Sequence, residues 1–259
     1  PPIVRAITWT PLPIVPIVQT PGFLESALPP PTKQIDKPKP MLNLIDGVVA
    51  IGAYDPKGVL DHLPIAIQHT FVVWFLPDNM TKAIESSRRA NRLPLVSLEP
   101  WPLLINGLTA NTLLKDANEG RYDEYVRQMA RAVKAQSPQV TLIRFGHEME
   151  LTGLYPWSQG NPEAYVSAYQ RVVNIFQEEK VTNVRWVWSP AGSSHSREYY
   201  PGDNVDYIGV TILADEQWDK NGGYANLRSF ATLLSENYKL AEEFNKPLIV
   251  AEAGVSTTN

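Results

Sequence analysis

Two glutamates in this chain each follow a short apolar run that is typical of a buried strand. The run at 140–145 ends just before His147 and Glu148, and the run at 247–251 ends at Glu252. A carboxylate at the end of a buried strand is poorly placed for packing and well placed for chemistry, because α/β folds bind ligands at the carboxyl ends of their strands. We therefore interpret Glu148 and Glu252 as a pair of catalytic carboxylates, able to do acid–base and nucleophilic work.

Aromatic side chains follow the same strand-like runs. Tyr155 and Trp157 come within ten residues of Glu148, and further tryptophans follow other runs. A flat aromatic ring can form a platform for a weakly polar ligand such as a sugar. A single histidine beside a carboxylate is suited to orienting a substrate hydroxyl or the carboxylate itself. The predicted substrate-binding residues are His147, Trp101, Tyr155, Trp157, Trp188 and Trp218.

Other classes of site find little support in the sequence. The segment around Glu148 lacks the H-E-x-x-H spacing of a zinc enzyme, and the chain has no cysteine for a disulfide or a thiolate metal site. The net charge of −4 and the pI near 5.6 argue against nucleic acid as a partner. The uncharged stretch at 6–24 contains four prolines, so we do not interpret it as a membrane span. We expect no metal and no organic cofactor.

Strands and helices must position these residues, and the sequence predicts that they alternate along the chain: short apolar runs are followed by stretches with helical spacing of apolar residues. Runs that are apolar throughout indicate strands buried on both faces, and hence a parallel sheet covered by helices. The turn at 54–58 is not the Gly-rich turn of an open nucleotide-binding sheet, which favours a (β/α)8 TIM barrel. The predicted strands are 48–54, 70–75, 93–98, 141–145, 184–188, 205–213 and 247–251, and the predicted helices are 60–68, 81–92, 123–136, 162–179 and 227–244.

The predicted barrel domain at 44–259 contains seven such strands, one fewer than a closed barrel needs. The eighth strand is missing, supplied by the N-terminal segment, or removed by truncation. Residues 1–43 are rich in proline and poor in periodic pattern, so we interpret them as an extended arm or linker. The chain begins with Pro-Pro rather than Met, which suggests a processed product, and we expect an extracellular or periplasmic monomer.

Four sequence motifs carry a resemblance to a known family and cover roughly residues 48–256. Together they are similar to glycoside hydrolase family 26, the β-mannanase family of the large retaining (β/α)8 clan. The resemblance implies that Glu148 is the acid/base, that Glu252 is the nucleophile, and that Tyr155, Trp157 and Trp188 face the sugar. The motifs are 144–149 with 155–157, 183–190, 199–203 with 205–210, and 246–254.

Two positions depart from the family pattern. Glu150 and the residues after it stand where the family usually has Asn-Gly, and 211–213 stands where it often has a Tyr that contacts the nucleophile. Both departures concern substrate recognition and leave the two glutamates in place. Arg144 shares a strand face with Glu148 and should be buried, so it needs a charge partner, with Glu99 as the candidate.

The expected function is retaining hydrolysis of a β-linked polysaccharide, β-mannan or mixed β-glucan, by double displacement with two glutamates. The alternative is a non-catalytic carbohydrate-binding barrel in a polysaccharide-synthesis or adhesion system. An aldolase-like or isomerase barrel would require a lysine or a phosphate-binding loop at the carboxyl ends of the last strands. Lys246 lies at the opposite end, where its strand begins, so the sequence disfavours this class of enzyme.

Overall fold

The computed structural model describes residues 49–103, 108–193 and 195–255. Seven strands there form one sheet in which each strand pairs in parallel with its neighbour in the chain. The strands are β1 (Gly52–Tyr54), β2 (Ile67–Val73), β3 (Leu93–Glu99), β4 (Thr141–Phe145), β5 (Val184–Trp188), β6 (Tyr207–Ala214) and β7 (Leu248–Val255). The predicted arm at 1–43 lies outside the described residues.

Helices connect most of the consecutive strands, as parallel pairing requires. They are α1 (Pro77–Arg89), α2 (Leu113–Asn118), α3 (Asp123–Ala135), α4 (Pro162–Glu178), α5 (Glu216–Asn221) and α6 (Phe230–Glu243), with short 3-10 helices at Ala110–Thr112 and Ser196–Tyr199. In the described ranges, none of these helices is both long and apolar enough to cross a membrane.

The core lies between the sheet and its helices. Every residue of β4 and β5 is buried, and seven of their ten residues are apolar or aromatic, as expected for strands covered on both faces. Helix α3 buries Val126, Met129, Ala130 and Val133 at helical spacing. Helix α4 begins where the sequence predicts: Asn161 accepts a hydrogen bond from the backbone of Ala164 at 3.1 Å, and a proline follows it.

The sheet has the strand order of a (β/α)8 barrel without its eighth strand. Among the described residues no pairing joins β7 back to β1. This agrees with the prediction of a barrel whose eighth strand is incomplete or substituted. Because the seven strands are parallel, their carboxyl ends all lie at one edge of the sheet. In barrels of this kind the active site is at that edge.

Several predicted boundaries differ from the structure. The predicted helix at 60–68 is wrong, because Pro64 interrupts it and the chain turns there before β2 begins at Ile67. Helices α2 and α5 were not predicted, since six residues are too few for a helical pattern to be read. Glu252 lies inside β7, which continues to Val255, rather than after the end of the strand.

Candidate active site

The guanidinium of Arg144 lies at the centre of the site. Its side chain has no exposed surface, and its Nη1 lies 2.5 Å from Glu252 Oε1 and 3.2 Å from Ser97 Oγ. The prediction that Arg144 pairs with Glu99 is wrong, because the side chain crosses the barrel interior from β4 to β7. Glu99 instead accepts a hydrogen bond from Trp101 Nε1 at 3.0 Å.

A sharp backbone turn after β4 directs Glu148 into the site. Glu148 has a φ of 53°, in the left-handed region that residues other than glycine seldom occupy. Two backbone hydrogen bonds hold the turn, from Glu148 N to Ser189 O at 2.8 Å and from Gly146 N to Leu98 O at 3.1 Å. A Cβ at Gly146 would lie 3.2 Å from Tyr165 Cε2, so the turn also requires a glycine.

The carboxylate of Glu148 is buried and hydrogen-bonded at both oxygens. Its Oε1 accepts from Thr211 Oγ1 at 2.8 Å, and its Oε2 accepts from the Tyr155 hydroxyl at 3.4 Å. Burial raises the pKa of Glu148 above its ordinary value, while the Thr211 hydrogen bond and the charge of Arg144 oppose that rise. A carboxyl that keeps its proton to higher pH is suited to act as a general acid.

Tyr155 is equipped to remain a hydrogen-bond donor. Burial, followed by the nearby carboxylates Glu148 and Glu252, raises its pKa well above the ordinary value. Its ring lies edge-on to His147 at 5.0 Å between centroids. Tyr155 is only partly buried, and therefore keeps some surface that a ligand could contact.

Both histidines near the site are neutral. Burial, and then the charge of Arg144, lowers the pKa of His147 to about 2 and that of His69 to about 3. His69 Nε2 lies 2.8 Å from the Ser97 hydroxyl, which also accepts from Arg144. Neither imidazole can supply a positive charge near neutral pH, so His147 can contribute only hydrogen bonds to a substrate or a neighbouring group.

Two of the predicted sugar-facing tryptophans lie in the core. Trp157 has no exposed surface, stacks on Tyr155 with ring centroids 4.6 Å apart, and donates from Nε1 to the His147 carbonyl at 2.7 Å. Trp188 is also fully buried, against Tyr200 and Phe244. A ring without exposed surface cannot stack on a sugar, so the prediction for Trp157 and Trp188 is corrected to a supporting role.

The remaining predicted aromatics keep exposed surface. Trp101 is partly buried and packs edge-on against Trp157 at 5.6 Å, close to Glu99. Trp218 is 61% exposed on α5, the short helix that follows β6. Their contact with a sugar stays a prediction.

Three polar residues of the site were not predicted as functional. Ser97 and Thr211 each interrupt an apolar strand run and face the barrel interior, where both contact Arg144. Glu150, noted only as a departure from the family pattern, is 8% exposed and accepts from Ser196 Oγ at 2.7 Å and Gly192 N at 3.0 Å. A lone hydroxyl inside an otherwise apolar strand was the available signal for the first two.

The described residues contain no group of three or more His, Cys, Asp or Glu side chains arranged to hold a metal ion. The side chains that meet at the site supply carboxylates, hydroxyls, a neutral imidazole and one guanidinium. The arrangement can donate a proton from Glu148 and present the partly exposed carboxylate of Glu252 to a ligand.

Comparison with known proteins assigns the chain to a family. The model of glycosyl hydrolase family 26 matches residues 111–257, more than half of the sequence. The chain belongs to glycosyl hydrolase family 26. The predicted family is thereby confirmed.

Individual relatives agree with this assignment. Endoglucanase H of Acetivibrio thermocellus is 28% identical over 200 residues, which cover 72% of this chain and 21% of the relative. The chain thus spans about a fifth of that relative's length.

Solved structures show the same fold. A family 26 beta-mannanase from Bacteroides ovatus superposes with a TM-score of 0.61 at 16% identity, over 80% of this chain and 69% of that one. The family 26 domain of an endo-beta-mannanase/endo-beta-glucanase from Prevotella bryantii gives 0.56 at 18% identity, over 78% and 72%. The predicted (β/α)8 fold is confirmed by this likeness.

The ion pair between Arg144 and Glu252 predicts an unequal effect of removing either partner. Glu252→Ala leaves a fully buried guanidinium without its carboxylate, which should lower the free energy of unfolding by about 3–5 kcal/mol. Arg144→Met leaves a carboxylate whose side chain is 33% exposed and can be hydrated, so the loss should be smaller. Urea unfolding of both variants measures the order, and an equal or reversed order would contradict it.

The neutral histidines predict a loss of stability in acid. Their folded pKa values lie far below the unfolded value of about 6.5, so their contribution is complete above that pH and declines below it. As the pH falls from about 6 to about 4, each of these two histidines should lower the free energy of unfolding by up to about 1.4 kcal/mol per pH unit. Urea unfolding at several pH values should give a shallower slope for His69→Gln. The control is His62→Gln, which replaces an exposed histidine outside the site.

Proposed function

We propose that this chain is a retaining glycoside hydrolase that cleaves a β-linked polysaccharide, β-mannan or mixed β-glucan. The observation that carries the proposal is the asymmetry between its two glutamates. Glu148 is buried and its pKa is raised, whereas Glu252 is partly exposed and paired with the Arg144 guanidinium. Such contrasting environments allow one carboxyl group, Glu148, to act as the acid and the other, Glu252, to act as the nucleophile.

In the first step, a carboxylate oxygen of Glu252 attacks the anomeric carbon while the bond to the leaving oxygen breaks. Glu148 gives its proton to that oxygen, so the leaving sugar departs neutral and Glu148 becomes ionised. A covalent glycosyl-enzyme results. In the second step Glu148 takes a proton from water, the water oxygen attacks the anomeric carbon, and the carboxylate of Glu252 is released with its charge restored.

The geometry supports these two roles in different ways. Arg144 holds Glu252 through a short ion pair and leaves the side chain of Glu252 33% exposed. Thr211 and Tyr155 hold the two oxygens of Glu148. Retaining enzymes of this type need the carboxyl groups about 5–5.5 Å apart.

The pKa of Glu148 also sets the expected pH range. The first step requires the protonated form, so turnover should fall as the pH rises through that pKa. Because burial raises the pKa, the fall comes at a higher pH than an ordinary glutamate would give.

The names of the relatives guide the choice of substrate. One curated relative is an endoglucanase, and solved structures of the same fold include beta-mannanases. Tyr155, Trp101 and Trp218 keep exposed surface and are the proposed sugar contacts, whereas the buried His147 packs against Tyr155 and supports it. A polymeric substrate favours an extracellular or periplasmic location. Action as a monomer is also part of the proposal.

Removing the proposed catalytic groups should have separable effects. Glu252→Ala should abolish turnover, and added azide should restore some activity with a glycosyl azide as product, since a small anion can occupy the freed space. Glu148→Ala should lose activity on polysaccharide, by about 10²–10⁴-fold, while retaining more on an aryl glycoside with a good leaving group. Glu163→Ala, an exposed glutamate on α4, is the matched control and should keep full activity.

Reducing-end release from β-mannan, β-1,3-1,4-glucan, cellulose and xylan identifies the substrate. We expect release from mannan or mixed-linkage glucan. Full activity in Glu252→Ala would contradict the assignment of the nucleophile. Binding of a polysaccharide without release of reducing ends would instead favour the carbohydrate-binding alternative.

A further inference from the structure

The pairing of β6 with β7 contains an irregularity beside the active site. Val210 pairs with Val250, but the next residue, Thr211, pairs with Glu252, so Ala251 is left without a partner in the register. An extra residue of this kind is a β-bulge, which bends a strand and re-aims its side chains. Here it brings Thr211 directly opposite Glu252 in the sheet.

The hydroxyl of Thr211 reaches the other glutamate. Thr211 Oγ1 lies 2.8 Å from Glu148 Oε1 and 3.5 Å from Arg144 Nη2. Arginine can only donate hydrogen bonds, and a hydroxyl has a single proton. Thr211 therefore accepts from Arg144, and its own proton can be donated to the carboxylate of Glu148.

A continuous path thus connects the two carboxylates, from Glu252 through Arg144 and Thr211 to Glu148. Both intermediate residues are buried: Arg144 has no exposed surface and Thr211 is 8% exposed. Buried hydrogen bonds to charged groups are stronger than those in water and are more costly to break. We call these two residues the Arg144–Thr211 link.

We propose that Thr211 is a positioning residue that couples the two glutamates and holds the carboxyl group of Glu148 in place through Oε1. The inference rests on the proposed function, in which Glu148 is the acid/base. Thr211 holds Oε1 of Glu148 at 2.8 Å, while Oε2 lies 3.4 Å from the Tyr155 hydroxyl. Thr211 acts through Glu148 and does not itself meet the reacting atoms.

Removing the hydroxyl should change how Glu148 titrates. The Thr211 hydrogen bond opposes the rise in pKa that burial causes, so its loss should raise that pKa further. The other charged or titratable groups that face Glu148 stay in place and keep their effects: Arg144 on β4, Glu252 on β7, and Glu150 and Tyr155 after β4. The alkaline side of the pH profile should therefore move to higher pH.

The test compares Thr211→Val, which removes the hydroxyl at similar size, with Thr211→Ser, which keeps it. The control is Thr141→Val, at a fully buried threonine on β4 whose hydroxyl has no hydrogen-bond partner among the described residues. The measurement is kcat/KM against pH on the polysaccharide that the Glu252→Ala variant no longer cleaves.

We expect Thr211→Val to move the alkaline limb upward by about one pH unit. Because the carboxyl group of Glu148 is no longer held in one orientation, kcat should also fall by about tenfold or more at the optimum. Thr211→Ser should restore both values, and Thr141→Val should match the unaltered protein. An unshifted limb in Thr211→Val, or a loss that Thr211→Ser does not restore, would overturn the proposal.

A second measurement does not depend on turnover. Carbon-13 NMR of the Glu148 carboxyl carbon follows its titration directly in the unaltered protein, in Thr211→Ser and in Thr211→Ala, a smaller replacement that cannot overcrowd the site. The carboxyl should titrate at higher pH in Thr211→Ala alone, and equal titration in all three would overturn the coupling. If no polysaccharide is cleaved while this shift is present, the proposed function fails and the coupling stands.

Discussion

The buried guanidinium of Arg144 is the constraint on which the site depends. A cation with no exposed surface costs several kcal/mol to bury unless other groups compensate its charge and its donors. The compensating groups come from three other strands: Ser97 on β3, Thr211 on β6 and Glu252 on β7. The correct alignment of these strands is therefore also the condition for assembling the active site, so folding and function share one set of interactions.

The sequence predicts most of the fold because buried strands and surface helices each require a characteristic local pattern of apolar residues. Strands buried on both faces must be apolar along their length, and helices on the sheet must be apolar at helical spacing, so six of the seven strands and the long helices were recognised close to their positions. The region around β1 was predicted least well. There Pro64 prevents the helix at 60–68, and β1 itself is reduced to Gly52–Tyr54.

The two glutamates could be selected from the sequence because each follows an apolar strand run, but their surroundings could not. The register between β6 and β7 depends on an unpaired Ala251, and no local pattern marks a bulge of this kind. The orientation of Trp157 was misjudged for a similar reason. Its ring stacks on Tyr155, and its Nε1 donates a hydrogen bond to the His147 carbonyl. This contact exists only after the loop has folded. Position along a chain indicates which residues reach the site, while tertiary contacts decide which of them face the ligand.

Burial also determines which groups can change charge during the reaction. The pKa values of His147 and His69 lie at about 2 and about 3, so both imidazoles are neutral across the range in which a glycoside hydrolase works. Arg144 supplies the positive charge beside the glutamates, and a guanidinium does not lose its proton in proteins. Burial raises the pKa of Glu148, so the change of charge of its carboxyl group moves toward neutral pH. His147 therefore does not contribute to the alkaline limb of the pH profile, which we assign to the proposed acid/base Glu148. The hydroxyl of Thr211 is the group best placed to adjust the pKa of Glu148.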